Sequence, residues 1–195
     1  MIAGHFGFAA IVKGHEPETP LWILMLATVW LDVIFVPLYL AGIETIQPVD
    51  GVHAGYGAGV IHADYTHSLL GAIVLSGLLG VVAWRLWTKR SGMVVGLVSL
   101  SHWLLDLVVH RSDLALLPGN TGDFPRLGFG LWRAPAASAA VELALVALGA
   151  WIYWRAARLA TVQAGRGKFT AALSASLILV FGVLVLALDV TGFAG

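Results

Sequence analysis

The sequence predicts an all-α integral membrane protein, and three observations carry that prediction. Of its 195 residues, 59% are hydrophobic and only 11% are charged. The mean hydropathy is +0.88. Apolar stretches of about 20 residues, the length that crosses a bilayer as a helix, recur along the chain. A soluble domain of this size would cover itself with about twice as much charge. No internal repeat or second domain is visible, so residues 1–195 read as one transmembrane domain.

Five stretches are long enough to span: about 20–42, 66–88, 92–112, 134–156 and 169–190. The first apolar piece, about 2–12, is too short. It reads as a half-helix that protein must bury, because lipid cannot satisfy a helix end. His5 interrupts it and no basic segment precedes it, so it is expected to be retained rather than cleaved. Turn chemistry marks the connections: Lys13-Gly14-His15-Glu16-Pro17, a Gly-rich linker opening at Gln47-Pro48-Val49-Asp50-Gly51, a tight hairpin at Arg90-Ser91-Gly92, and a long loop over 113–133. A loop of that length follows functional sites often enough to be read as a cover. Trp22, Trp84, Trp87, Trp132, Trp151 and Trp154 stand near span ends as interfacial anchors, and Gly71, Gly77, Gly80 and Gly149 as close helix contacts. His15 and His53 read as surface residues and Asp189 as an exposed terminus.

Basic residues orient the chain. Lys13, Lys89, Arg90, Arg155, Arg158, Arg166 and Lys168 fall on one side, which is therefore the cytoplasm. The 44–64 linker, the 113–133 loop and the C-terminus then face outward, as expected of a multi-pass inner-membrane protein; Arg111, Arg126 and Arg133 lie on that outer side.

Formal net charge is zero, which removes the electrostatic case for nucleic acid as a partner. There is no cysteine, so disulfides, thiolate metal sites and cysteine nucleophiles are excluded. What remains unusual is the set of titratable groups inside apolar runs: His5, Asp32, His67, His102, Asp106 and Glu142. Each charge inside a bilayer costs about 2.5–3.5 kcal/mol on insertion scales and points to function. Counted at about 1.5 Å per residue, these groups reach similar heights in the outer half of the membrane. His102 and Asp106 are four residues apart and share one helix face. One such histidine alone is more often structural. Together, Asp32, His67, His102 and Asp106 form a nitrogen and oxygen set of the kind zinc accepts, and a cation compensates carboxylates that water cannot reach. Manganese or iron would accept the same set.

This order of residues, His5, then Asp32 closing an apolar run, then Thr66-His67-Ser68, then His102-x-x-x-Asp106, resembles the YdjM-like family of inner-membrane metal-dependent hydrolases. The likeness covers residues 1–118 and extends distantly to the helical zinc-dependent phospholipase C and single-strand nuclease group. It implies that Asp32, His67, His102 and Asp106 hold one metal and that His5 joins Asp32 and Asp106 at a second. The chain departs from the family at Val29-Trp30-Leu31-Asp32, where a further carboxylate is common, and at His62-Ala63-Asp64-Tyr65, where His-Arg-Gly is common.

The expected activity is metal-assisted hydrolysis of a phosphoester or ester in a lipid or amphipathic substrate. Asp64 or Glu142 would serve as general base, and His62, Arg111 and Arg133 would contact an anionic head group. The alternatives are a metal-ion or proton transporter, a haem-binding protein, and a scaffold whose metal only ties helices together.

Overall fold

The computed structural model describes residues 1–49, 55–163 and 168–191; Asp50, Gly51, His53 and Arg166 lie outside these. Seven helices carry the fold among the described residues: α1 (Ile2–His15), α2 (Leu21–Thr28), α3 (Trp30–Leu40), α4 (Leu69–Leu86), α5 (Lys89–Val109), α6 (Pro135–Gln163) and α7 (Lys168–Thr191). Four of them, α4 to α7, are long and apolar enough to cross a membrane. The expected span over 20–42 is instead a pair of helices, α2 and α3, bent by 49° at Val29. It makes a fifth crossing only if the bent pair counts as one.

The linker is not purely irregular. β1 (Thr45–Pro48) and β2 (Gly59–His62) pair antiparallel, with Thr45 opposite His62 and Pro48 opposite Gly59. Ile46, Val60 and Ile61 are β-branched residues that suit an extended ribbon. This two-stranded ribbon is a small addition to a fold that is otherwise helical, as expected.

Helix α1 runs to His15 and is enclosed by protein, packing on α6, α2, α7 and α5. Its approach to α6 is backbone to backbone. A Cβ on Gly7 would lie 2.6 Å from the Leu145 carbonyl, and one on Gly149 would lie 2.2 Å from the Gly7 carbonyl oxygen. Only glycine permits that distance. The first turn of α1 finds partners on other helices: Gly4 N–H donates to Glu142 of α6 at 3.1 Å, and the Asp189 carboxylate of α7 lies close to the Ile2 and Ala3 N–H groups. Asp189 is half-buried beside the start of α1 rather than an exposed terminus.

The α4–α5 connection is Trp87–Thr88, not Arg90–Gly92. Thr88 caps α5, accepting from Ser91 N–H at 3.0 Å, and this places Arg90, Ser91 and Gly92 inside the first helical turn. Gly80 and Gly92 bring α4 and α5 together there: a Cβ on Gly80 would stand 2.9 Å from the Gly92 carbonyl oxygen. Gly77 makes no such contact, since a Cβ there would meet nothing within 4 Å. At the same end, Arg90 holds Glu16 through two hydrogen bonds of 2.9 and 2.7 Å, and Lys13 Nζ donates to the Pro17 and Thr19 carbonyls. The Arg90 guanidinium keeps the Glu16 carboxyl below its usual range.

The 113–133 loop folds over the opposite end. The first N–H groups of α4, on Leu69 and Leu70, donate to the Ala115 and Leu116 carbonyls. Leu114 pairs with Leu127, and Gly130 N–H donates to the His110 carbonyl at 2.7 Å. Trp132 is buried against His110, with ring centroids 4.3 Å apart, so it is a packing residue and not an interfacial anchor.

Candidate metal centre

Four separate elements deliver the polar groups to one place. His5 lies in the second turn of α1 and is buried. Asp32 lies in the first turn of α3. His102 and Asp106 project from one face of α5, one turn apart. His67 precedes α4 rather than opening it. Ser68 is the N-cap, accepting from Gly71 N–H at 3.1 Å, so Thr66-His67-Ser68 is the turn that starts the helix. Trp103 Nε1–H donates to the His67 carbonyl at 2.8 Å and ties that turn to α5.

The distances are short. His67 Nε2 and His102 Nε2 are 3.2 Å apart. Asp32 Oδ1 is 3.4 Å from the first and 3.6 Å from the second. Asp106 Oδ2 is 3.0 Å from His102 Nε2 and 3.9 Å from His67 Nε2. Asp106 Oδ1 is 3.1 Å from His5 Nε2, whose ring stacks on His102 with centroids 3.9 Å apart. His5 Nδ1 is buried with no partner among the described residues. Asp32, His67 and His102 form one group able to hold a metal ion; His5, His102 and Asp106 form another.

The break at Val29 has a chemical consequence. The Thr28 carbonyl accepts from His102 Nδ1 at 2.8 Å. A carbonyl oxygen can only accept, so Nδ1 carries a hydrogen, and in the neutral ring the Nε2 lone pair faces the cluster. His67 has a matching arrangement, its Nδ1 being 2.8 Å from Thr66 Oγ1. In the neutral state the two ring nitrogens and Asp32 Oδ1 aim electron pairs at a common point, and Asp106 belongs to the group that includes His5. A proton on one ring would satisfy one contact and leave a carboxylate charge uncompensated in a buried site; a divalent cation compensates both.

Two residues near the cluster were not anticipated. His110 follows Asp106 by four residues, so His102, Asp106 and His110 form one stripe on α5, a spacing legible in the sequence. Its Nε2 is 3.6 Å from Asp106 Oδ2, and its Nδ1 is 3.0 Å from Asp113 Oδ1. Asp113 also accepts from Ile61 N–H at 3.1 Å. The other residue is Glu44, fully buried just before β1 and hydrogen-bonded to the turn that carries His67. Nothing in its linker setting distinguishes it in the sequence.

The remaining predicted residues have other partners. Glu142 is fully buried, accepting from Gly4 N–H and, at 2.6 Å, from Tyr56 O–H. Burial and the Glu142 hydrogen bond push the Tyr56 phenol up, so it remains a donor. Asp64 is paired with the Arg126 guanidinium, one of whose bonds is 2.8 Å. Arg111 donates twice to the Gly57 carbonyl, at 3.1 and 2.8 Å. Arg133 is exposed, and His62 is half-buried on β2 opposite Thr45.

The fold and the cluster together define a class: a polytopic helical membrane protein with a buried His/Asp site that could hold a metal ion. Comparison with family models, with curated proteins and with solved structures finds no match to this chain. Its functional reading therefore stands on its own residues.

Proposed function

We propose that the protein is a membrane-embedded metal-dependent hydrolase that acts on a phosphoester or ester of a lipid or amphipathic substrate at the outer leaflet. One observation carries this reading: ring nitrogens of His67 and His102 stand 3.2 Å apart, with the lone pair of His102 set by the Thr28 carbonyl. Around a tetrahedral zinc ion with ligands at about 2.0–2.2 Å, neighbouring ligand atoms stand about 3.3–3.6 Å apart. The three contacts among Asp32 Oδ1, His67 Nε2 and His102 Nε2 are 3.2, 3.4 and 3.6 Å, and Asp106 Oδ2 stands 3.0 Å from His102 Nε2 in the neighbouring group. Zinc is accordingly the ion proposed, with His5 and Asp106 Oδ1 beginning a second site. Manganese and iron fit less well, because both favour more ligands than this set provides.

Such an ion supplies Lewis acidity toward a phosphoryl or carbonyl oxygen, together with a water acidic enough to attack near neutral pH. The chain supplies position and access. The side chain of Asp32 is 37% exposed, whereas those of His67, His102 and Asp106 are at most 6% exposed. Access is therefore past Asp32, beside α3, whose Val33 and Val36 are exposed apolar residues. An apolar approach to a polar centre suits a substrate with a hydrocarbon tail. Exposed Arg133 is the residue assigned to an anionic head group. Asp64 is already held by Arg126, and Glu142 by Gly4 and Tyr56, so the general-base role is assigned to neither.

The placement in the inner membrane belongs to the same proposal. His102 and Asp106 lie about 20 and 26 Å along α5 from Lys89, at the end away from Lys13, Lys89 and Arg90. With those basic residues cytoplasmic, the site faces the outer leaflet. The resemblance to the YdjM-like hydrolases agrees with this reading.

The test is to purify the protein in detergent and measure bound metal by elemental analysis. Phosphodiester and ester substrates bearing acyl chains are then assayed with His102→Ala beside the wild type. Metal and hydrolysis present in the wild type and lost in the variant are expected. Equal hydrolysis in both proteins would overturn the reading.

A further inference from the structure

Glu44 belongs to none of the groups that face the cluster, yet it is fully buried and makes three hydrogen bonds to the turn that carries His67. Tyr65 N–H and Thr66 N–H donate to its Oε1 at 2.8 and 2.9 Å. Thr66 Oγ1–H donates to its Oε2 at 2.8 Å. The same Thr66 oxygen lies 2.8 Å from His67 Nδ1. A hydroxyl has one proton and two lone pairs, and a carboxylate only accepts. Once the Thr66 proton is spent on Glu44, its oxygen can meet His67 only as an acceptor. His67 Nδ1 must then carry hydrogen, and in the neutral ring Nε2 presents its lone pair toward Asp32 and His102.

We infer that Glu44 is a positioning residue that sets the tautomer of His67 through Thr66, and so prepares Nε2 to bind a metal ion. The inference rests on reading the cluster as a metal centre. Outer carboxylates commonly act on metal-bound histidines, directly, by fixing the ring's proton and orientation. Here a hydroxyl is interposed, and it reverses direction if the acid is replaced by an amide. In Glu44→Gln the side-chain oxygen can still accept from the Tyr65 and Thr66 N–H groups. Its amide nitrogen then donates to Thr66 Oγ1. The hydroxyl proton is freed to point at His67 Nδ1, which drives hydrogen onto Nε2, the atom needed for the metal. A substitution of nearly the same shape thus inverts the relay.

The experiment is nitrogen NMR of protein labelled at histidine, recorded metal-free and after titration with zinc. The variants are Glu44→Gln, Thr66→Val and Thr66→Ser, with helix content checked by circular dichroism. In the metal-free wild type, His67 is expected with a protonated Nδ1 and a bare Nε2. Glu44→Gln moves the hydrogen to Nε2, Thr66→Val leaves the two forms mixed, and Thr66→Ser restores the wild-type pattern. Zinc affinity falls about 10- to 100-fold in Glu44→Gln and in Thr66→Val, the range seen for outer partners of metal ligands, and recovers in Thr66→Ser. A wild-type His67 protonated on Nε2, or a tautomer unchanged in Glu44→Gln, would overturn the inference. The metal-free spectra separate the two readings. If no zinc binds while the tautomer follows Glu44 as described, the metal centre fails and the relay stands.

Discussion

Two buried acids in this bundle, Glu142 and Asp106, began with the same claim to function and ended differently. Both are carboxylates on helices that are apolar enough to cross a membrane, and both are almost fully enclosed by protein. Glu142 meets donors: Gly4 N–H on one oxygen and Tyr56 O–H on the other. It is a cap for the first turn of α1, supplied from α6, and each of its oxygens has a donor. Asp106 meets imidazole nitrogens on both oxygens, His5 on one side and His102, His67 and His110 on the other. With its Nδ1 hydrogen committed to the Thr28 carbonyl, a neutral His102 offers Asp106 no hydrogen. A buried carboxylate does not by itself mark a metal site. The balance of donors and acceptors around it does.

The largest effect is expected at His102. His102→Ala is expected to remove bound metal, with a loss of affinity beyond the roughly 10- to 100-fold that an outer partner costs. Its thermal unfolding should also stop responding to chelator. In the wild type, metal at about 100 times its dissociation constant adds about 2.7 kcal/mol, so chelation lowers the unfolding temperature. Elemental analysis and melting curves with and without chelator check both outcomes.

Glu142→Ala sharpens the contrast from the other side. It leaves the Gly4 N–H and Tyr56 O–H in the interior without an acceptor, at about 1–3 kcal/mol for each group. The melting temperature should fall while metal content stays at the wild-type level. Loss of metal in this variant would join the two regions into one site and undo the comparison.

Gly149→Ala probes the seam between them. The new methyl would meet the Gly7 backbone, which cannot swing aside, and α1 must shift, carrying His5 with it. A loss of about 1–3 kcal/mol is expected, the usual cost of overpacking. Any effect on metal should be confined to the part of the site that His5 serves, seen as a change in metal stoichiometry.

The smallest effect is expected at the other end, at Arg90→Ala. The Arg90 guanidinium is largely exposed, and exposed ion pairs contribute little. The sign of its pH dependence is still defined. Arg90 holds the Glu16 carboxyl below its ordinary 4.5, so whatever the pair contributes is present above that pH and lost as pH falls through the depressed value. Melting curves of wild type and variant should differ slightly near neutrality and converge in acid.

Much of the site could be read along the chain, because its chemistry conflicts with its surroundings. Acidic and imidazole groups in apolar runs are conspicuous, and His5, Asp32, His67, His102 and Asp106 all stand in such runs. The four-residue spacing that joined His102 to Asp106 continues to His110, so that residue was also within reach of the sequence. Glu44 and Thr28 were not. Glu44 lies in a polar linker where a carboxylate is unremarkable. Thr28 acts through a carbonyl that every residue possesses, and which faces His102 only where α2 gives way to α3. Pattern overestimated Gly77, read as a helix contact, and Trp132, read as a membrane anchor, because neither periodicity nor position reveals what a side chain meets.

By itself, then, the sequence determined the solvent this chain is built for and the residues that oppose it. Hydrophobic content and run length act locally and add up along the chain, so they survive without knowledge of the fold. The tertiary structure decided which of the opposing groups meet, the bend at Val29, the glycine seam that seats α1, and the direction in which each imidazole points. Those depend on contacts between residues far apart in sequence, where a shift of about 1 Å separates a hydrogen-bonded cap from a set of metal ligands.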